Sequence, residues 1–229
     1  MKRHSLLLAY LLLVCSLVAV AADTAIPTPS QFLGIEVGAD RQLADYKQIV
    51  SYFNELAKRS GRIQVETIGK TTLGNDFILA AISSEANLKN KKRYQEIARK
   101  LADPRGLSPQ QVEALAHEGK AILIVTCNIH STEIGASQMA MEWAHALVTA
   151  TDPAVVQRLN NVILLLAPSI NPDGQIMETD WYRKNLGSKF EGSRMPWLYH
   201  PYVGHDNNRD WYMLTQKESQ ALTRAVYHE

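Results

Sequence analysis

The apolar residues of this chain change their spacing from one segment to the next. Over residues 45–59 they recur every three or four positions, which predicts an amphipathic helix. Residues 62–68 and 77–82 instead favour two β-strands, and the turn signal at 73–75 between them indicates a hairpin. We therefore expect a helix followed by a pair of antiparallel strands in this part of the chain.

The middle of the chain alternates helical and strand patterns. A charged helical pattern covers residues 87–118, and the segments 121–127 and 162–167 are apolar runs typical of strands buried on both faces of a sheet. A helix predicted at 133–148 connects these two runs. Strand, helix and strand form a βαβ unit, so we predict an α/β fold with a mixed, largely parallel central sheet and helices on both faces.

The N-terminus has the pattern of a secretory signal peptide at residues 1–22. Lys2 and Arg3 precede an apolar run at 6–20, and small residues then supply a cleavage site. The run is shorter than the roughly 20 apolar residues of a membrane-spanning helix. We predict export to the periplasm or the medium, a leader at 23–39, and one domain over 40–229.

The charge balance bears on the possible partners, and the cysteine content bears on disulfide bonds. The chain has 24 basic and 23 acidic residues, and removal of Lys2 and Arg3 leaves 22 against 23, a formal charge of −1. This balance favours neither nucleic acid nor an anionic membrane surface as partner. Removal of Cys15 leaves Cys127 as the one cysteine of the processed sequence, which therefore has no pair for a disulfide.

Candidate metal ligands follow the first strand of the predicted parallel pair. Catalytic groups of α/β sheets gather at the carboxyl ends of the strands, and His130 and Glu133 lie just beyond that end. Imidazole nitrogen and carboxylate oxygen both bind zinc, and a turn between them lets both reach one ion. On its own, the pair favours a simpler interpretation. The histidine would be hydrogen bonded within the fold, and the glutamate would stabilise the first turn of the helix through the helix dipole.

Two later segments, 180–184 and 204–211, combine tryptophans with dense polar residues, a mixture that suits the wall of a pocket. With these segments, the sequence from about residue 45 onwards resembles the zinc carboxypeptidases of the carboxypeptidase A type. Four segments carry the resemblance in the family's order: H-S-T-E at 130–133, N-P-D-G at 171–174, W-Y-R-K at 181–184, which has one residue more than the family's W-R-K, and D-N-N-R-D-W at 206–211.

The resemblance assigns a metal centre to three of these residues. It implies that His130 and Glu133 are ligands of Zn²⁺ and that Asp206 accepts a hydrogen bond from His130 and so orients its ring. The family's third ligand, a histidine, and its general base, a glutamate, have no matching positions up to Glu229. The resemblance therefore implies a partial catalytic domain at 40–229, incomplete at its C-terminus and with little activity alone.

The resemblance also assigns substrate contacts. It implies that Arg183 stabilises the oxyanion of the tetrahedral intermediate, although the additional Tyr182 makes an ordinary surface charge the alternative for Arg183. Asn208 and Arg209 would hold the terminal carboxylate of the substrate, because a guanidinium pairs with a carboxylate through two hydrogen bonds.

These assignments predict a zinc-dependent metallocarboxypeptidase that hydrolyses the C-terminal bond of a peptide or protein with a free C-terminus. Nucleic acid and, after signal cleavage, membrane are not expected as partners. Two alternatives stay open: a related zinc amidohydrolase or deacylase, and a non-catalytic module with the same fold that binds carboxylates.

Overall fold

The computed structural model describes residues 25–228 of the chain. The signal peptide predicted at 1–22 lies outside these described residues. Within the described part of the chain, no helix combines the length and the apolar character needed to cross a bilayer.

A four-stranded sheet forms the centre of the described fold. Its strands are β1 (Ile63–Lys70), β2 (Asp76–Ile82), β3 (Ala121–Thr126) and β4 (Val162–Ala167), in the order β1-β2-β4-β3. β1 pairs with β2 and β2 with β4 in antiparallel fashion, whereas β3 and β4 are parallel. The predicted mixed sheet is confirmed, with one parallel pairing among the three, a smaller parallel share than predicted.

Helices surround this sheet. In chain order they are α1 (Pro29–Leu33), α2 (Tyr46–Arg59), α3 (Glu85–Lys89), α4 (Lys91–Ala102), α5 (Pro109–Glu118), α6 (Ile134–Thr149), α7 (Pro153–Asn161), α8 (Pro172–Asn185), a 3₁₀ turn (Asn207–Arg209), α9 (Lys217–Thr223) and a π-helical turn (Arg224–His228). The predicted helices at 45–59 and 133–148 correspond to α2 and α6. The connection from β3 to β4 contains α7 in addition to α6.

Helix α2 shows how local sequence and packing agree. Asp45 accepts a hydrogen bond from the Gln48 backbone N–H, and the Gln48 side chain accepts one from the Asp45 N–H, at 2.9 Å each. This capping box satisfies two backbone donors at the helix start. The apolar stripe of the helix, including Tyr52 and Phe53, is fully buried against the sheet.

The side chains of β2 alternate between two apolar clusters. Ile78 packs with α2 and α6 in the larger cluster, whereas Phe77 and Leu79 pack with Ala221 and Leu222 of α9 in a smaller one. Successive residues of a strand point to opposite faces of the sheet. Helices therefore cover β2 on both faces, as predicted.

Strand β3 differs from its prediction. Val162–Ala167 is largely buried, but Ile122, Leu123 and Ile124 remain 38%, 49% and 41% exposed. The difference arises because β3 lies at the edge of the sheet, where the described residues provide no further strand and cover its faces incompletely. The prediction of burial on both faces is correct for β4 and wrong for β3.

The segment predicted as a leader packs on the domain from residue 26 onwards. Ile26, Phe32 and Leu33 contact the larger apolar cluster, and the Tyr52 hydroxyl donates to the Pro27 carbonyl at 2.9 Å. The aperiodic spacing of these residues gave no helix signal, because α1 is only five residues long. The packed structure therefore starts before residue 40.

Candidate active site

Three polar segments meet where β3 ends. The Ile129 carbonyl accepts hydrogen bonds from the Asn171 side chain, at 3.1 Å, and from the Asn207 side chain. Asn128 turns the chain in the left-handed region at φ 52°, a conformation that asparagine tolerates better than most residues. The carboxyl end of β3, the start of α8 and the 3₁₀ turn are thereby fixed to one point.

His130 and Glu133 lie together at the start of α6. The His130 Nδ1 atom is 2.9 Å from Glu133 Oε1, and the His130 backbone N–H donates to Glu133 Oε2 at 3.0 Å. The turn between them makes the ring nitrogen and the carboxylate face each other. The predicted pair is thus brought into one place, with Nδ1 on the side of the carboxylate.

The other ring nitrogen of His130 faces Asp206. His130 Nε2 is 3.2 Å from Asp206 Oδ1, and the same oxygen accepts the Asn208 backbone N–H at 2.8 Å. A carboxylate that accepts from one nitrogen of a histidine fixes the ring and leaves its second nitrogen available for a metal ion. Here that second nitrogen is Nδ1, next to Glu133.

The environment keeps the Glu133 carboxylate ionised. Partial burial acts to raise the pKa of Glu133, but the hydrogen bonds and charge of His130 outweigh it, so the pKa lies below its usual range. Its side chain is 44% exposed and that of His130 is 22% exposed. An ionised carboxylate beside an accessible imidazole is a donor pair that a divalent cation can reach.

Tyr199 covers one face of the His130 ring. The two ring centroids are 4.4 Å apart, and the Tyr199 carbonyl accepts the Asn171 side-chain amide at 3.2 Å. Gly174 allows this approach, because a Cβ atom there would lie 2.2 Å from the Tyr199 carbonyl oxygen. The N-P-D-G segment thus positions the loop that packs on the histidine.

Asn208 and Arg209 belong to the short 3₁₀ turn that Asp206 begins. The Arg209 backbone N–H donates to the Asp206 carbonyl at 2.8 Å. The Arg209 side chain is exposed, and its guanidinium contacts the Asn208 carbonyl at 3.4 Å. Asp206 therefore connects both residues directly to His130.

The structure does not bring Arg183 to this site. Its guanidinium lies at the start of α2, where it donates to Asp45 Oδ2 at 2.8 Å, to the Leu43 carbonyl at 2.8 Å and to Gln48 Oε1 at 2.9 Å. Arg183 lies near the end of α8, because that helix continues through the segment expected to form a pocket wall. These contacts make Arg183 a link between α8 and α2 rather than a group near His130.

We expect Arg183→Ala to lower stability slightly and to leave peptide binding unchanged. The lost contacts are partly exposed, so the free energy of unfolding should fall by about 1 kcal/mol or less. Urea denaturation and peptide titration measure the two effects, with the neighbouring exposed Lys184→Ala as control. Peptide affinity reduced tenfold at unchanged stability would instead assign Arg183 to the site.

The described residues supply two donors for a metal and lack a complete ligand set. Among them, no group of three or more histidine, cysteine, aspartate or glutamate side chains could hold an ion. His205 contacts Asp210 at 3.1 Å, and Cys127 is buried in the larger apolar cluster. His130 and Glu133 fit a zinc ion in donor chemistry and in orientation, as part of a larger ligand set.

Several residues around the site carried no sequence signal. Tyr199, Glu178 and His200 lie in segments without a recognisable spacing. His200 is only 2% exposed, stacks on Tyr202 at 4.7 Å, and has no hydrogen-bond partner for either ring nitrogen among the described residues. Burial lowers the pKa of His200. The burial of this loop histidine follows from the folded structure and could not be predicted from the sequence.

Fold and site together define a class of protein: an α/β fold whose strand ends carry a histidine–carboxylate pair suited to a metal ion. A family model described as zinc carboxypeptidase matches residues 49–228, and the chain belongs to this family. The resemblance drawn from the four sequence segments is confirmed. No curated protein sequence matches the chain significantly.

Several solved structures align with this chain. Thrombin activatable fibrinolysis inhibitor aligns with a TM-score of 0.53 and 10% identity, over 88% of this chain and 49% of its own. Carboxypeptidase A from Helicoverpa armigera aligns at 0.49 and 17% identity, over 95% and 49% respectively. A metallo-carboxypeptidase from Burkholderia cenocepacia aligns at 0.49 and 16%, over 81% and 38%. The chain spans about half or less of the length of these proteins.

Proposed function

We propose that this chain is part of a zinc-dependent metallocarboxypeptidase that removes C-terminal residues from peptides. The arrangement of His130 between Glu133 and Asp206 carries the proposal most directly. One carboxylate orients the imidazole, and the other faces its free nitrogen. Membership of the zinc carboxypeptidase family supports the same activity.

His130 Nδ1 and Glu133 would hold the zinc ion. Bound zinc polarises a carbonyl and lowers the pKa of water, which is the chemistry that peptide hydrolysis requires. Asp206 would keep the Nε2 proton of His130 in place and so leave Nδ1 unprotonated. We assign the third ligand and the general base to parts of the protein other than the described residues.

Asn208 and Arg209 would hold the terminal carboxylate of the substrate. The Arg209 guanidinium is exposed and forms no ion pair with any described residue, so it can pair with an incoming carboxylate through two hydrogen bonds. Its turn begins at Asp206, which contacts His130, so the carboxylate would be held close to the metal centre. This placement favours cleavage of the last peptide bond.

The carboxylate assignment predicts that Arg209→Ala weakens the binding of peptides with a free C-terminus about tenfold or more, since a charge-assisted hydrogen bond contributes roughly 1.5–3 kcal/mol. Isothermal titration of one acetylated peptide, with a free and with an amidated C-terminus, measures the effect. Arg105→Ala, at an exposed arginine in the loop between α4 and α5, serves as control. Equal affinity for the free and the amidated peptide would favour a binding mode without carboxylate recognition.

Adding an acetylated amino acid to this titration, together with an assay of peptide hydrolysis, tests the alternative functions. A deacylase of small amides would favour acylated amino acids over peptides, and a non-catalytic module would bind the free carboxylate without hydrolysis.

We further propose that the protein is exported, because the pattern at 1–22 is that of a signal peptide. Peptides in the periplasm or the medium would then be its substrates.

A further inference from the structure

A cavity of about 540 Å³ lies beside the candidate metal centre. Thr132 lines it and stands between His130 and Glu133 in the sequence, and Tyr199 lines it and packs on the His130 ring. Its other walls come from Glu178 of α8 and from the loop at 192–198. A cavity of this volume is large enough for an amino-acid side chain.

Two polar atoms of residues that line the cavity are buried without a partner. Glu178 Oε2 and Ser193 Oγ have no hydrogen bond to any other described residue. Buried polar atoms are almost always hydrogen bonded, so this pair indicates that a donor from outside the described residues is needed. Burial also raises the pKa of Glu178, because it removes the charged form from water.

Arg194, the other charged residue of the cavity, does not donate to Glu178. Arg194 also lines the cavity, but its side chain is exposed and forms no ion pair with Glu178. Water can solvate an exposed guanidinium, whereas the Glu178 oxygen is shielded from it. The side chain that lacks a hydrogen-bond donor is therefore the Glu178 carboxylate. A ligand with N–H groups would supply that donor.

We propose that the cavity binds a basic side chain, lysine or arginine, whose N–H groups donate to Glu178 and Ser193. The inference rests on the proposed function, in which Asn208 and Arg209 hold the terminal carboxylate. Neither of these two residues lines the cavity. The basic side chain would therefore belong to a residue before the terminal one. Its methylene stem could lie along the exposed Trp197 while its charged end reaches Glu178.

Peptide binding to the full chain tests this proposal. Three acetylated tripeptides share the same terminal residue and carry lysine, leucine or glutamate before it, and their dissociation constants are measured by isothermal titration. We expect the lysine peptide to bind at least about tenfold more tightly than the leucine peptide. Glu178→Gln should abolish this preference, whereas Asp180→Asn, an exposed carboxylate on the same helix, should keep it.

The outcomes separate the cavity from the proposed function. A lysine peptide that binds no better than the leucine peptide, including no binding of either, overturns the proposal. A preference for glutamate that is lost in Arg194→Ala overturns it as well, since Arg194 would then select the side chain. If the amidated lysine peptide keeps a preference that depends on Glu178, the cavity assignment stands and carboxylate recognition by Arg209 fails.

Discussion

Replacing Asp210 with alanine should cost the protein about 3–5 kcal/mol of its free energy of unfolding, because several donors lose their acceptor and each buried donor left unpaired costs about 1–3 kcal/mol. Asp210 is fully buried and accepts hydrogen bonds from the Gln216 N–H at 2.9 Å, the Thr215 N–H at 3.2 Å, the Ser219 hydroxyl and His205. Alanine would leave these donors without an acceptor. Urea denaturation measures the loss.

The stabilisation by Asp210 should decrease as the pH falls. Burial acts to raise the pKa of Asp210, but the hydrogen bonds from Ser219, Thr215 and Gln216 outweigh it and hold the pKa far below its usual range. The stabilisation is therefore complete above about pH 4, the usual pKa of an unfolded aspartate, and declines as the pH falls towards the folded value. The difference between wild type and Asp210→Asn should narrow accordingly.

The exposed Asp180→Ala is the control for Asp210, with an expected change within about 0.5 kcal/mol. A loss below about 1 kcal/mol in Asp210→Ala would mean that the segment 205–219 contributes little to the fold. Because this segment includes the turn with Asn208 and Arg209, that result would also weaken the proposed carboxylate site.

Replacing His130 should reduce zinc affinity more than replacing the residue that orients it. Loss of an outer hydrogen-bond partner typically lowers metal affinity roughly 10- to 100-fold, which is our expectation for Asp206→Asn. His130→Gln removes a ligand itself and should exceed that loss. Competition with a chromophoric chelator measures both affinities on the chain.

A matched control for the metal measurement is His117→Gln, since His117 has a side chain that is 82% exposed and lies on α5. It should bind zinc as tightly as the wild type. Equal zinc affinity of the wild type and His130→Gln would show that zinc binds elsewhere, and Asp206→Asn without effect would remove the orienting role of that carboxylate.

The fold could be predicted from sequence where periodicity was strong. Helix α2 and the β1–β2 hairpin follow from regular apolar spacing and from a turn signal, and both occur at the expected positions. The exposure of β3 could not be predicted, because a continuous apolar run does not reveal whether other elements cover it. Helix α1 could not be predicted, because a helix of five residues is too short to show a periodic apolar spacing.

The candidate site was predictable only in part, for a related physical reason. His130, Glu133 and Asp206 were predictable from short motifs, and both carboxylates lie within hydrogen-bond distance of the His130 ring. Arg183 was placed by analogy with a W-R-K segment, but the turns of α8 direct its side chain to Asp45. The cavity residue Glu178 had no motif at all, since its burial depends on a loop that is distant in sequence.

The central claim concerns which nitrogen of His130 binds zinc, and nitrogen-15 NMR of the histidine side chains tests it most directly. We predict that added Zn²⁺ shifts the Nδ1 resonance of His130, while Nε2 keeps its proton and its hydrogen bond to Asp206. Histidine resonances other than that of His130 should change little. Zinc-dependent shifts confined to other histidines, or an unshifted Nδ1 of His130 at saturating zinc, would contradict the account.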